Sequence, residues 1–199
     1  MNEIEIRGKI SPTRFKELKI LLEKSGRLLK HYHRLSVDVS PGFDEKTRTW
    51  NNPSGLDLRV KKSDNEEKIS LKIGHFYEKE RSEIDVALVP GEFLNAITLL
   101  DSLGYSKGMV YFWESWEFEY KGSEIKLSKY SDAYYIWEIE SKNTNDPDVL
   151  AIELNLKPFT KEENTRSNDW ENINLHKLYS KELVLALLQK SGYFLKHSL

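Results

Sequence analysis

The sequence predicts an α+β fold: an antiparallel sheet closing into a barrel, with helices outside it, built from two related halves. Three observations predict this. Several strand-like stretches carry charges on one face and aliphatics on the other, those charges segregate by sign from stretch to stretch, and a strand–helix pattern occurs twice. Because strand side chains alternate faces with period two, each such stretch has one face for a core and one for something wet.

The first strand, Glu3 to Lys9, puts Ile4 and Ile6 on one face with Ile10, and Glu3, Glu5, Arg7 and Lys9 on the other. Alone, that charged face is a solvated surface laced with ion pairs. The alternative is a cavity wall, with carboxylates holding a hard cation and bases holding an anion. Ser11-Pro12 then opens a helix, serine as cap and proline in the first turn, with Phe15, Leu18, Leu21 and Leu22 at helical spacing and Gly26 as its stop. A short strand is expected over Leu35–Val39 and a loop over Pro41–Gly55. Leu56–Lys62 and Lys68–Ile73 alternate on either side of Ser63-Asp64-Asn65, which is turn chemistry, so they form a hairpin. Arg59, Lys61, Lys68 and Lys72 make its polar face basic.

The opening pattern then returns. Glu83-Ile84-Asp85-Val86 matches Glu3-Ile4-Glu5-Ile6, and a helix starting at Val89-Pro90 carries Phe93, Ile97, Leu99 and Leu100 to Gly104. Pro12 to Gly26 and Pro90 to Gly104 have the same separation, and Phe15 and Phe93 the same offset, which reads as an internal repeat. Aromatic-rich strands follow over Met109–Tyr120, Glu124–Tyr130 and Tyr134–Ser141, the last setting Glu138 and Glu140 on one face. Trp113 and Trp116 are expected to pack in the core. Asp146-Pro147 starts a helix with Val149, Leu150 and Leu154; Pro158–Glu163 is a capped turn; Asn164–Asn174, polar throughout, is expected to be a loop. Ser180 caps a last amphipathic helix that ends at Gly192, and residues 1–199 are expected to form a single domain.

Composition narrows the function. The 199 residues hold 30 Lys+Arg against 32 Asp+Glu, a net charge of −2, and no cysteine. That excludes a basic footprint over the whole surface for nucleic acid, and any disulfide, thiolate metal site or cysteine nucleophile. The acidic start passes directly into a strand pattern and no apolar run reaches the length of a membrane span. A soluble cytoplasmic protein, without nucleic-acid or membrane partners, is expected. There is no Gly-rich phosphate loop or Ser-His-Asp signature, and the five histidines do not fall in a catalytic pattern.

The segregated charges are the functional signal. Glu3/Glu5, Glu83/Asp85 and Glu138/Glu140 are acidic pairs, while Arg59/Lys61 and Lys68/Lys72 are basic. Closed into a barrel with its aliphatics outward, the sheet would line a hydrated tunnel with these charges. Burying them is too costly unless they are paired, hydrated or bound to ligand. Carboxylates suit Mg²⁺ or Mn²⁺, and arginine and lysine suit phosphate oxygens.

These residues also carry a resemblance. Glu3-x-Glu5-x-Arg7 is similar to the ExExK signature of the CYTH domain family, the triphosphate tunnel metalloenzymes, which includes class IV adenylyl cyclases and thiamine triphosphatases. Leu58-Arg59-Val60-Lys61, Leu71-Lys72, Glu83-x-Asp85, Leu99-Leu100-Asp101-Ser102-Leu103-Gly104-Tyr105, Trp137-Glu138-Ile139-Glu140 and Leu154-Asn155-Leu156 resemble its later motifs in order. The resemblance implies an eight-stranded antiparallel barrel whose tunnel binds a triphosphate or other phosphorylated ligand with Mg²⁺ or Mn²⁺. It assigns Glu3, Glu5, Glu138 and Glu140 to metal, and Arg7, Lys9, Arg59, Lys61 and Lys72 to phosphates. Glu83 and Asp85 would position the bases, orient water or share the metal. Two departures stand out: residues 109–120 contain no Lys or Arg, and Ser128 stands where the family places an aspartate. The expected activity is metal-dependent hydrolysis of an inorganic or organic triphosphate by a monomer or homodimer. A class IV-type adenylyl cyclase and a non-catalytic binder of phosphorylated ligands are the alternatives.

Overall fold

The period-two stretches become long antiparallel strands. The computed structural model describes residues 2–50, 55–64, 66–74, 80–141 and 147–190. In chain order these form β1 (Asn2–Ile10), α1 (Pro12–Ser25), β2 (Arg27–Val39), β3 (Phe43–Asp44), β4 (Thr49–Trp50), β5 (Leu56–Ser63), β6 (Glu66–Ile73), β7 (Glu80–Leu88) and α2 (Phe93–Ser102). Then come β8 (Gly108–Tyr120), β9 (Ser123–Ser131), β10 (Tyr134–Ser141), α3 (Pro147–Glu153), α4 (Lys161–Asn174), β11 (Lys177–Leu178) and α5 (Lys181–Lys190). Hydrogen bonds order the main sheet β11-β8-β2-β5-β6-β7-β1-β10-β9, and β8 also pairs with β9. The eight long strands therefore have the ladder order of the expected antiparallel barrel, and with the helices the class is α+β.

The chain divides into two compact units. The first comprises Met1–Tyr32, Phe76–Ser82 and Trp113–Asn168, the second His33–His75, Glu83–Phe112 and Asp169–Leu199.

In the first unit, β1 pairs with β10 so that Ile6 faces Ile139, Gly8 faces Trp137 and Ile10 faces Tyr135. β9 continues the same face with Ile125 and Leu127. This apolar side is closed by Phe15, Leu18 and Leu22 of α1 and by Leu150 and Ala151 of α3. Helix α1 starts where the sequence says it should: Ser11 Oγ accepts the Arg14 N–H at 3.2 Å, with Pro12 in the first turn. A Cβ on Gly8 would lie 2.5 Å from the Lys157 carbonyl oxygen and 2.8 Å from the Trp137 ring, so the close approach there requires glycine. Trp137, fully buried, is the largest side chain in this core; truncating such a residue to alanine costs about 3–5 kcal/mol.

In the second unit, β5 lies between β2 and β6. Leu35, Val37, Val39 and Val60 form its apolar side, covered by Phe93, Ala96, Ile97 and Leu100 of α2. Helix α2 has no side-chain cap of its own from Glu92. The buried Glu67 of β6 supplies one instead, accepting the N–H groups of Gly91 at 3.1 Å and Phe93 at 2.7 Å while pairing with Lys62. A carboxylate there also complements the positive end of the helix. Gly104, at φ +90°, ends it in the left-handed region that favours glycine.

Some segments differ from expectation. Asn164–Asn174 is not a loop but most of α4. Its start is a reciprocal capping box: the Glu163 N–H donates to Thr160 Oγ1 at 3.2 Å and the Thr160 N–H to Glu163 Oε2 at 2.9 Å. β2 starts at Arg27 rather than Leu35, its first five residues exposed and without an apolar rhythm. Pro90 lies in the turn before α2, which begins at Phe93. The expected loop 41–55 contains the β3–β4 hairpin, where Phe43 packs on Trp50 with ring centroids 4.4 Å apart. Asp146 and Gly192, expected helix boundaries, lie outside the described residues.

Candidate functional site

The face of the first unit opposite its core is a grid of charge. Across β8, β9, β10 and β1 the register aligns Glu117, Lys126, Glu138 and Arg7 in one row. The adjacent row aligns Glu119, Glu124, Glu140 and Glu5, four acids side by side. Like charges directly opposite each other on a sheet are destabilising, so this row demands cations. Lys126 answers part of that demand, its Nζ 2.9 Å from Glu140 Oε1 and 3.5 Å from Glu138 Oε2. Burial opposes the lysine's charge, but Glu140 and Glu138 more than offset it and hold the ammonium well above the usual lysine range. Burial raises Glu138; Lys126 pulls it back and Glu5 pushes it further, leaving it above the ordinary carboxylate value. Arg27 pairs with Glu119 at the exposed end of the acidic row.

Further along the same face the register aligns Lys9, Ile136, Ser128 and Ser115. Ser128 Oγ, at the position of the family aspartate, lies 2.8 Å from Ser115 Oγ, and both serines are buried. Lys9 is exposed, with Nζ 4.8 Å from the Tyr134 ring centroid. Trp113 is buried on this charged side of β8, stacked on Tyr130 at 5.4 Å, whereas Trp116 packs edge-on against Phe15 of the core. Both are packed, as expected, but on opposite faces of one strand: Trp113 is buried on the charged side and Trp116 is partly buried against the core.

The second unit's polar face is basic. Asp38 of β2 lies opposite Arg59 and Ser36 opposite Lys61, while on the other flank Ser70 and Lys68 of β6 face the same two residues. Arg59 is clamped: its Nε donates to Asp57 at 2.7 Å and lies 3.1 Å from Asp38, and its NH2 also pairs with Asp57. Burial works against that guanidinium, but Asp38 and Asp57 keep it firmly charged. Burial pushes Asp38 up to about 6 against the pull of Arg59. Lys61 is the opposite case. Burial and the neighbouring Arg59 lower it to about 7, and Glu83, 3.5 Å away, restores little. Glu83 is also 3.5 Å from Lys72, so one carboxylate serves two lysines. Burial would raise Glu83, but Lys72 and Lys61 hold it below its usual range. Asp85 is held low in the same way, hydrogen-bonded by Lys68 and Ser70.

The sequence-assigned residues therefore fall into two groups. Glu5, Arg7, Glu138 and Glu140 share neighbouring rows of the first unit; Arg59, Lys61, Lys72, Glu83 and Asp85 share the face of the second. The Glu3 backbone pairs with Arg81, but its side chain lies outside the described set. Among the described residues no three His, Cys, Asp or Glu side chains are grouped as a metal ion requires, and the Glu138–Glu140 pair already holds an ammonium. That ammonium makes the Glu138–Glu140 pair a poor fit to a resident divalent cation. Sequence reasoning missed Lys126 and Asp38. The signal for the first was the strict alternation Glu124, Lys126, Ser128, Tyr130; for the second, one acid on the polar face of the alternating run Leu35–Val39. His176, in the connection between α4 and β11, is buried against the Tyr111 ring with Nδ1 3.1 Å from Asn172 Oδ1.

No protein-family model matches the chain. No curated protein matches it either. Solved structures share its fold. A protein from Pyrococcus horikoshii aligns at a TM-score of 0.60 and 18% identity, covering 81% of this chain and 98% of its own. A proposed adenylate cyclase from Vibrio parahaemolyticus aligns at 0.53 and 15% identity, covering 92% and 97%. A chain of the Schizosaccharomyces pombe Mediator head module aligns at 0.50 and 12% identity, covering 89% and 98%. At these identities the likeness is one of fold, the fold that the ordered sequence motifs anticipate. No described helix is long and apolar enough to cross a membrane.

Proposed function

We propose that this chain binds a triphosphate, inorganic or organic, through the basic face of β5 and β6, and that hydrolysis of its terminal phosphoanhydride is the reaction this face supports best. The reading rests on Lys61. A lysine lowered to about 7 by burial first and by Arg59 second, sharing Glu83 with Lys72 at 3.5 Å, is short of negative charge. A phosphate chain supplies that charge, and binding it would draw a proton onto Lys61. In hydrolysis a water oxygen attacks the terminal phosphorus, the bond to the bridging oxygen breaks, and the diphosphate leaving group takes the negative charge. Lys61 and Lys72 stabilise charge as it moves onto the phosphate oxygens. Glu83, ionised because it is held below its usual range, is suited to accept a hydrogen bond from the attacking water. Arg59 has two carboxylates already and positions the strand face rather than gripping the ligand.

A non-catalytic binder is the second reading, favoured by Lys126, which stands between the two carboxylates the resemblance assigns to metal. One set of measurements separates these. Tripolyphosphate binding is followed by calorimetry, and phosphate release from tripolyphosphate, thiamine triphosphate and ATP is followed with Mg²⁺, with Mn²⁺ and with chelator. Binding with release supports the hydrolase; binding without release from any substrate supports the binder; cyclic AMP from ATP would reassign the chain as a cyclase. The binding proposal fails if tripolyphosphate neither binds nor raises the melting temperature.

A further inference from the structure

We infer that Lys126 is a built-in cation of the acidic face: its ammonium takes the place that a divalent ion would hold between Glu138 and Glu140. The wild-type pair therefore binds no such ion. The register supplies the first reason. Glu119, Glu124, Glu140 and Glu5 stand opposite one another on four adjacent strands, and strand neighbours are about 5 Å apart. Such a row needs positive charge near its middle. The second reason is where that charge comes from. Lys126 begins in the next row, opposite Glu138, and reaches across to Glu140 at 2.9 Å while staying 3.5 Å from Glu138. Its side chain is 13% exposed and those of Glu138 and Glu140 17% and 16%, so the three groups are largely withdrawn from solvent.

Chemistry gives the third reason. Mg²⁺ and Mn²⁺ need oxygen ligands and keep several waters. An ammonium in hydrogen-bond contact with one carboxylate fills that volume and repels the incoming ion. The trade has a functional meaning: a tethered cation is present at every metal concentration, whereas a bound ion is lost when the metal is scarce. The Glu138–Glu140 pair thus carries a permanent countercharge, and anything that binds there meets a fixed ammonium rather than an exchangeable metal.

The test uses the full chain and reads metal binding, not turnover. Mn²⁺ binding is followed by electron paramagnetic resonance, and melting is recorded in chelator and in Mn²⁺, for the wild type, Lys126→Met and Lys126→Arg. Wild type and Lys126→Arg are expected to show no stoichiometric Mn²⁺ site and the same melting temperature in both media. Lys126→Met is expected to melt lower in chelator, to recover in Mn²⁺ by roughly 5 °C or more, and to bind Mn²⁺ at least about tenfold more tightly than wild type, a gain of ~1.4 kcal/mol. Stoichiometric Mn²⁺ on the wild type, abolished by Glu138→Gln, would overturn the inference, as would a Lys126→Met chain that gains no Mn²⁺ site. If Lys126→Met folds only when Mn²⁺ is present, that rescue supports it; failure to fold in either medium while Lys126→Arg folds normally would sink it.

Discussion

Lys126 in the first unit and Lys61 in the second are both strand lysines withdrawn from water, their side chains 13% and 7% exposed, yet their ammoniums are pulled in opposite directions. Burial disfavours the charge in both. Around Lys126 the next largest influences are Glu140 and Glu138, and the ammonium is held above its usual range. Around Lys61 the next is Arg59, and the value falls to about 7. Strand position and burial set the size of the stakes; the charged neighbours on the same sheet face set the sign. The Glu138–Glu140 pair has its countercharge from within the chain, while the proposed triphosphate would bring negative charge to Lys61.

The comparison also separates the pH behaviour of the two units. Lys61 is near 7 when folded and near 10.5 when unfolded. Between those values the unfolded chain holds the proton and the folded one does not, so stability rises with pH across that window and is lost as pH falls through it. Lys126 has the reverse sign: the stability it contributes is fully present below lysine's unfolded value and is lost only as pH rises past its higher folded one. Asp38, raised to about 6 from 3.8, makes stability fall as pH rises between those two values.

The largest test of the contrast is Arg59→Met. Removing one partner of a buried pair typically costs about 3–5 kcal/mol because the remaining charge is stranded, here on Asp38 and Asp57. Urea unfolding should show that loss, and Asp38→Asn in the same chain should return part of it; a loss below about 1 kcal/mol would mean the clamp is loose and Arg59 is available to ligand. Glu67→Gln comes next. With its charge gone from the start of α2 and from Lys62, stability should drop by about 1–3 kcal/mol, while the pH dependence assigned to Lys61 stays in place. If that dependence also vanished, the difference between the faces would lie in helix docking and not in charge. Lys61→Met should weaken tripolyphosphate about tenfold, or ~1.4 kcal/mol, and should flatten a wild-type affinity that declines as pH rises through 7. An equal decline in the variant would place the titrating group elsewhere. Smallest of all is Lys121→Ala, at a pair with Glu153 whose side chains are 55% and 44% exposed. It should leave the melting temperature unchanged; a fall like that of Arg59→Met would undo the claim that burial sets the stakes.

Strands whose two faces differ in chemistry were legible in the sequence. Glu3–Lys9, Leu56–Lys62 and Tyr134–Ser141 all lie within observed strands because alternation is a local code. The Ser11-Pro12 start of α1 was legible for the same reason. α4 was not, because its polar run lacks the apolar rhythm of a core-facing helix; its evidence was confined to the Thr160–Glu163 box. The early part of β2 was hidden too, since strand pairing rather than side-chain pattern holds Arg27–His31 extended. Among the site residues, Lys61 with Lys72 and Glu138 with Glu140 followed from shared faces, while Glu83 was set beside the bases only by the resemblance. Lys126 was hidden because its meaning depends on register: on β9 it is one charge in an alternating strand, and only the ladder places it beside Glu138 and Glu140.

That ladder has a key. Gly8 sits opposite Trp137, whose ring lies 2.8 Å from where a Cβ would be. If β1 slipped by one residue, Arg7 or Lys9 would have to occupy the notch under the indole, and Ile4 and Ile6 would turn into the charged row. The missing side chain at position 8 thus proofreads strand pairing, admitting one alignment of β1 with β10 and excluding its neighbours on steric grounds alone.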